Sequence, residues 1–165
     1  VLLDSPIRKP APRREDEAPP PRRGGKVYAD LAATLARFRL LPEQECDNLW
    51  LVDHIARGSL KQAETEDGAR GWTWRFDPDL WAKLAYQRRD PETAAREARC
   101  PLAFMRGAQS VLMQAETWDF MRETFSEAAF MTVADAQHHL ILDQPLAVAA
   151  ALEALLAGGF ARARG

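Results

Sequence analysis

Two continuous apolar runs of strand length, residues 102–105 and 128–133, each lead through a loop into a helical pattern. The first run stops at Arg106-Gly107, and Trp118, Met121 and Phe125 then mark one face of a helix. The second is followed by a loop over residues 134–139. Asp143 and Pro145 read as start signals for a last helix that Gly158-Gly159 ends. That helix is apolar nearly all round, which implies burial against a sheet. Strand, helix, strand, helix in this order argues for parallel pairing with helices on the faces, an α/β fold. Two strands are too few for a doubly covered sheet. A third short β-type run, residues 1–4, ends at Ser5-Pro6. The sequence opens inside that run and without Met, so the expectation is a piece of a longer protein whose remaining strands lie elsewhere.

Between the first run and the other two lies a stretch of different character. Residues 7–27 form a Pro-rich loop with mixed charges, having almost nothing to bury. Residues 28–98 then read as a small helical subdomain. Leu31, Leu35 and Phe38 recur at helical spacing after Asp30, and Leu49, Val52, Ile55 and Ala56 share a face of a second helix. Residues 68–71 read as a loop and Trp72-Thr73-Trp74-Arg75-Phe76 as a short extended segment. Asp77-Pro78 opens another helix through Trp81 and Leu84. Trp72, Trp74, Phe76 and Trp81 either line a substrate cavity or glue the subdomain to its surroundings. Residues 99–165 complete the strand–helix part.

The chain is nearly balanced in charge, with 22 basic against 24 acidic residues, so nothing suggests a nucleic acid or an anionic membrane as partner. The most apolar stretch, residues 146–156, is too short to span a bilayer and contains Glu153. Two cysteines, Cys46 and Cys100, make no disulfide framework, which points to a reducing, cytoplasmic compartment. Adjacent histidines lack metal-site spacing, so neither metal nor cofactor is expected. His54 reads as a boundary residue of its helix.

In open α/β sheets, ligands bind beyond the carboxyl ends of the strands. Three such ends occur here: Asp4, residues 107–110, and the pair His138-His139. An imidazole at one end and a carboxylate at another are two parts of a nucleophile–base–orienter system. The plainer alternative is that Asp4 caps a turn and the histidines sit on a solvated loop.

The segment Ala134-Asp135-Ala136-Gln137-His138-His139-Leu140-Ile141-Leu142-Asp143-Gln144-Pro145 resembles the loop and last helix start of α/β-hydrolase fold enzymes. In those enzymes a small residue, the catalytic His, an apolar run, and an acidic residue with Gln-Pro or Lys-Pro follow the last strand. Cys100-Pro101-Leu102-Ala103-Phe104-Met105-Arg106-Gly107 looks like the preceding strand and its Gly turn. Val1-Leu2-Leu3-Asp4-Ser5-Pro6 is similar to the strand before the lid, and the middle of the chain resembles the helical cap of certain bacterial members. The resemblance covers essentially the whole chain, as the C-terminal half of the fold. It implies a proton-shuttling role for His138, with His139 packing beside it.

Two positions depart from the family pattern. Gln137 stands where Gly usually precedes the His, and Ser110 stands where the acid usually follows the penultimate strand. Some members place the acid after the strand before the lid, which makes Asp4 the candidate orienter; otherwise Ser110 leaves a His with no acid. No G-x-S-x-G elbow occurs in the sequence. The resemblance therefore implies a hydrolase of small acyl substrates when the nucleophile-bearing N-terminal half is present, and an inactive chain without it. The alternative class is a non-catalytic protein of this fold that binds a ligand or partner.

Overall fold

The computed structural model describes residues 1–9, 25–80, 83 and 90–159. The chain divides into two compact units, Val1–Pro12 with Arg89–Gly165, and Arg13–Arg88. Most of the Pro-rich loop, and the helix expected through Trp81 and Leu84, lie outside the described residues.

The first unit is built on three parallel strands, β1 (Leu2–Leu3), β4 (Ala103–Gly107) and β5 (Ala129–Val133), in the order β1-β4-β5. Leu2 pairs with Phe104, and Ala103 with Ala129. Successive strand residues point to opposite faces, and both faces are apolar. Ala103 and Met105 of β4 pack with Val133, Ala136, Leu140, Val148 and Leu155 on one face. Phe104 points the other way, into a cluster with Ile7, Met113, Trp118, Met121 and Phe125. Aromatic rings tighten that second cluster, with Phe104 and Phe130 at 5.1 Å and Trp118 edge-on to Phe130 at 5.0 Å.

Each face is covered by the helix that follows in sequence. Helix α4 (Ala115–Thr124) presents Trp118 and Met121 to the Phe104 side. Helices α5 (Leu140–Asp143) and α6 (Pro145–Ala154) lie on the Met105 side, and a π-helical turn over Leu155–Gly159 extends α6. A short helix, α3 (Pro91–Arg96), leads into β4, and Ala95 packs against the Phe104 cluster.

The apolar composition of α6 overstates its burial. Val148 is buried on the sheet, whereas Leu146 is 84% exposed, and Leu156 beyond it is 74% exposed. A helix lying on one sheet face buries one stripe only. Asp143 does not cap α6. The cap position is Gln144, whose side chain makes no capping bond, and Pro145 supplies the first helical residue.

The second unit holds helices α1 (Leu31–Leu35) and α2 (Leu49–Gly58) and an antiparallel hairpin, β2 (Leu60–Glu64) with β3 (Arg70–Trp74). The sequence pattern predicts helices here and one extended segment, so β2 is an addition to it. Asp30 starts α1 by accepting the Ala33 amide at 2.6 Å. Of the apolar face read for α2, Ala56 is buried, Val52 and Ile55 are half-buried and Leu49 is exposed. Trp74 meets Phe38 at 6.1 Å, and Tyr28 bridges to Trp72. No helix among the described residues is long and apolar enough to cross a membrane.

Candidate active site

Asp4 ends β1 in the left-handed region, at φ 43°, which Asp tolerates better than most residues with a Cβ. Its amide still donates to Met105 O at 2.7 Å, so the strand ladder is held up to the turn. The turn swings the side chain across the end of β4. The residue is only 1% exposed.

Three donors converge on this buried carboxylate. Oδ1 accepts the Gly107 amide at 3.1 Å. Oδ2 takes the Ser110 hydroxyl at 2.5 Å and His138 Nδ1 at 2.8 Å. A carboxylate can only accept, so Nδ1 carries the ring proton of a neutral His138 and Nε2 keeps its lone pair. The carboxylate side chain is fully buried while the ring is 23% exposed, so the imidazole reaches solvent from a dry anchor. A charge buried this deeply is tolerable because its oxygens are bonded.

The loop carrying His138 is fixed by its backbone. Asp135 is the other described non-Gly residue with positive φ, at 51°, and Ala136 O accepts the Gln109 amide at 2.9 Å. The Gln137 amide donates to Asp143 Oδ2 at 2.7 Å, and the Gln144 side chain donates to Asp135 O at 3.2 Å. Asp143 thus ties the loop instead of capping the helix. His139 starts α5, its carbonyl accepting the Leu142 amide at 2.7 Å, and its ring lies edge-on to His138 at 4.8 Å.

The two residues singled out in the sequence, Asp4 and His138, are therefore in direct contact, although 134 positions apart. Ser110 lies on Asp4, with its oxygen also accepting the Leu112 and Met113 amides at 3.2 and 3.3 Å. Sequence reasoning met Ser110 as part of a strand end and as the place of a missing carboxylate, not as a partner of Asp4. His54 is exposed on α2. Among the described residues no group of three His, Cys, Asp or Glu side chains is placed to hold a metal. Chemically, the arrangement is an oriented imidazole base beside a carboxylate that can stabilise its protonated form.

No protein-family model matches the chain, and no curated protein matches it by sequence. Solved structures do match by shape. E-2-(acetamidomethylene)succinate hydrolase superposes with a TM-score of 0.64 at 19% identity, over 81% of this chain and 47% of that one. A thioesterase domain from the curacin biosynthetic pathway gives 0.60 at 16% identity, over 94% and 56%. An esterase of M. tuberculosis gives 0.52 at 17% identity, over 80% and 43%. The chain thus spans about half the length of these structures. A parallel sheet covered by helices on both faces, with these hydrolase and esterase folds as its matches, makes the chain part of an α/β-hydrolase fold.

Proposed function

We propose that this chain supplies the base and the acid of an acyl-group hydrolase whose nucleophile lies outside residues 1–165. The observation that carries the reading is the 2.8 Å contact between His138 Nδ1 and the buried Asp4 carboxylate at the carboxyl ends of parallel strands. The neighbours' printed activities, a hydrolase, a thioesterase and an esterase, agree with it. In this reading His138 Nε2 takes the proton of the attacking hydroxyl or water, and Asp4 stabilises the imidazolium that forms. His138 then returns the proton to the leaving group as the acyl bond breaks. Oxyanion-hole donors would come from the same outside segment as the nucleophile. Residues 28–98, inserted between β1 and β4, would serve as the cap, and the substrate is an ester-like, amide-like or otherwise activated acyl compound.

The test is made on the full-length protein with a panel of activated esters and thioesters. His138→Ala should lower kcat by about 10,000-fold or more, with the folded state retained by circular dichroism. Asp4→Asn should cost kcat on the order of 10,000-fold, because an amide side chain no longer fixes the Nδ1–H tautomer. Unchanged turnover in the His138 variant would sink the assignment. A protein that binds acyl compounds equally well with Asn at position 4, and never turns them over, would be a binding protein of this fold.

A further inference from the structure

We propose that Ser110 is a positioning residue that sets how strongly Asp4 acts on His138. The inference rests on the reading that Asp4 orients His138, and adds the group that governs that pair. Ser110 Oγ and His138 Nδ1 both donate to the same oxygen, Asp4 Oδ2, at 2.5 and 2.8 Å. Two donors on one oxygen share its negative charge, so each weakens the pull on the other.

The hydroxyl is not free to turn away. Its oxygen accepts the backbone amides of Leu112 and Met113, at 3.2 and 3.3 Å, which occupies the lone pairs and leaves the proton to Asp4. Ser110 is 9% exposed and Asp4 1%, so no bulk water replaces that proton readily. The hydroxyl is also barred from acting as a nucleophile, because its proton is given to the carboxylate and not to the imidazole. Its place in the turn after β4 keeps Oδ2 aimed at the ring while the Gly107 amide holds Oδ1. Among the described residues, Asp4, on Nδ1, and His139, edge-on at 4.8 Å, are titratable groups that face the His138 ring. With the serine donor removed, His138 would be the remaining side-chain donor on Oδ2. The imidazolium would then be the better stabilised form, and the ring would protonate at higher pH.

The test is the titration of the His138 ring, followed by nitrogen-15 NMR in the full-length protein and assigned by loss of its signals in His138→Gln. In wild type the neutral form of the ring should carry its proton on Nδ1. Ser110→Ala should raise the His138 pKa by about half a unit or more, and move the acid limb of the kcat–pH profile upward by the same amount. Ser110→Thr, which restores the hydroxyl, should return both toward wild type. Should the Ala variant fail to fold, Ser110→Cys takes its place, since a thiol has similar size and is a weak donor. An unshifted titration in a folded Ala or Cys variant would overturn the proposal and leave Ser110 a loop residue. Asp4→Asn separates the two failures. If it leaves the His138 titration untouched, the Asp4–His138 reading fails and this one with it. If it lowers the pKa while Ser110→Cys does nothing, the role of Ser110 alone is refuted.

Discussion

A Cβ placed on Gly107 would stand 2.2 Å from the carbonyl oxygen of Gln137 and 2.4 Å from that of Ala136. Both are backbone atoms, so they cannot swing aside as a side-chain tip would. The end of β4 thus passes directly under the loop that carries His138, and this close approach brings the ring to Asp4. Gly107→Ala should force the loop outward at a cost of about 1–3 kcal/mol, the usual range for overpacking. Thermal unfolding of the full-length variant should show the lower midpoint. A midpoint equal to wild type would mean the loop has slack that the geometry denies. Asp4 and the His138-His139 pair were legible as strand ends because apolar runs stop before them, whereas the choice of His138 and the orienting role of Asp4 came from the family resemblance. Gly107 was legible only as a stop. Its contact with the 136–137 carbonyls depends on how two distant loops cross, which no local pattern encodes. Ser110 was legible only by position and by the carboxylate it lacks, for a related reason: its hydroxyl direction is set by the turn over residues 107–113.

Among the elements, the strands of the sheet unit followed their apolar runs, and those of the second unit did not. Strand β2 reads Leu-Lys-Gln-Ala-Glu, all five of whose residues favour helix, yet it pairs along its length with β3. The loop expected over residues 68–71 is shorter, because Arg70 and Gly71 already pair in β3. Asp67-Gly68 is a hairpin signal, Gly68 takes φ +79°, and the Thr65 hydroxyl bonds to Asp67. Helix α3 carries clear start signals in Asp90-Pro91-Glu92, with Pro91 at the first helical position and Arg96 in the last turn. Its cap also gives a pH dependence. The Asp90 carboxylate accepts the amide and the hydroxyl of Thr93, both at 2.8 Å, and these bonds, the amide first, hold it below the usual carboxylate range. A carboxyl with a lowered folded-state pKa contributes stability that is present above its unfolded value and lost as pH falls through the folded one. Protection factors of the α3 amides, with the intrinsic pH dependence of exchange divided out, should therefore be steady from neutrality down to about pH 4 and fall below it. Asp90→Asn keeps a good cap without a titrating group, so its exchange profile should lack that acid step. A step of wild-type size in the Asn variant would assign it to another carboxyl.

At the scale of the whole molecule, three strands with helices on both faces are enough to bring Asp4, Ser110 and His138 together, but the apolar surface is not fully used. Leu146 on α6 is 84% exposed, although Val148, two residues on, is in the core. The apolar face of α6 is therefore wider than the sheet it covers here. Under the proposed function, the strands and helices outside residues 1–165 extend that sheet, and the remaining face of α6 is the place where they would add cover. The same substitution then has two expected outcomes, according to the length of chain in which it is made. In residues 1–165 alone, Leu146→Glu replaces an exposed leucine, so stability should change by no more than about 0.5 kcal/mol. Self-association, measured by sedimentation velocity, should fall, because an exposed apolar patch is removed. In the full-length protein the glutamate would have to be buried without a partner, and the cost should rise to about 2 kcal/mol or more, read as a lower denaturant midpoint. An equally mild effect in both would mean that this face of α6 meets solvent in the intact protein. The extended sheet would then have to grow from the β1 edge without reaching α6.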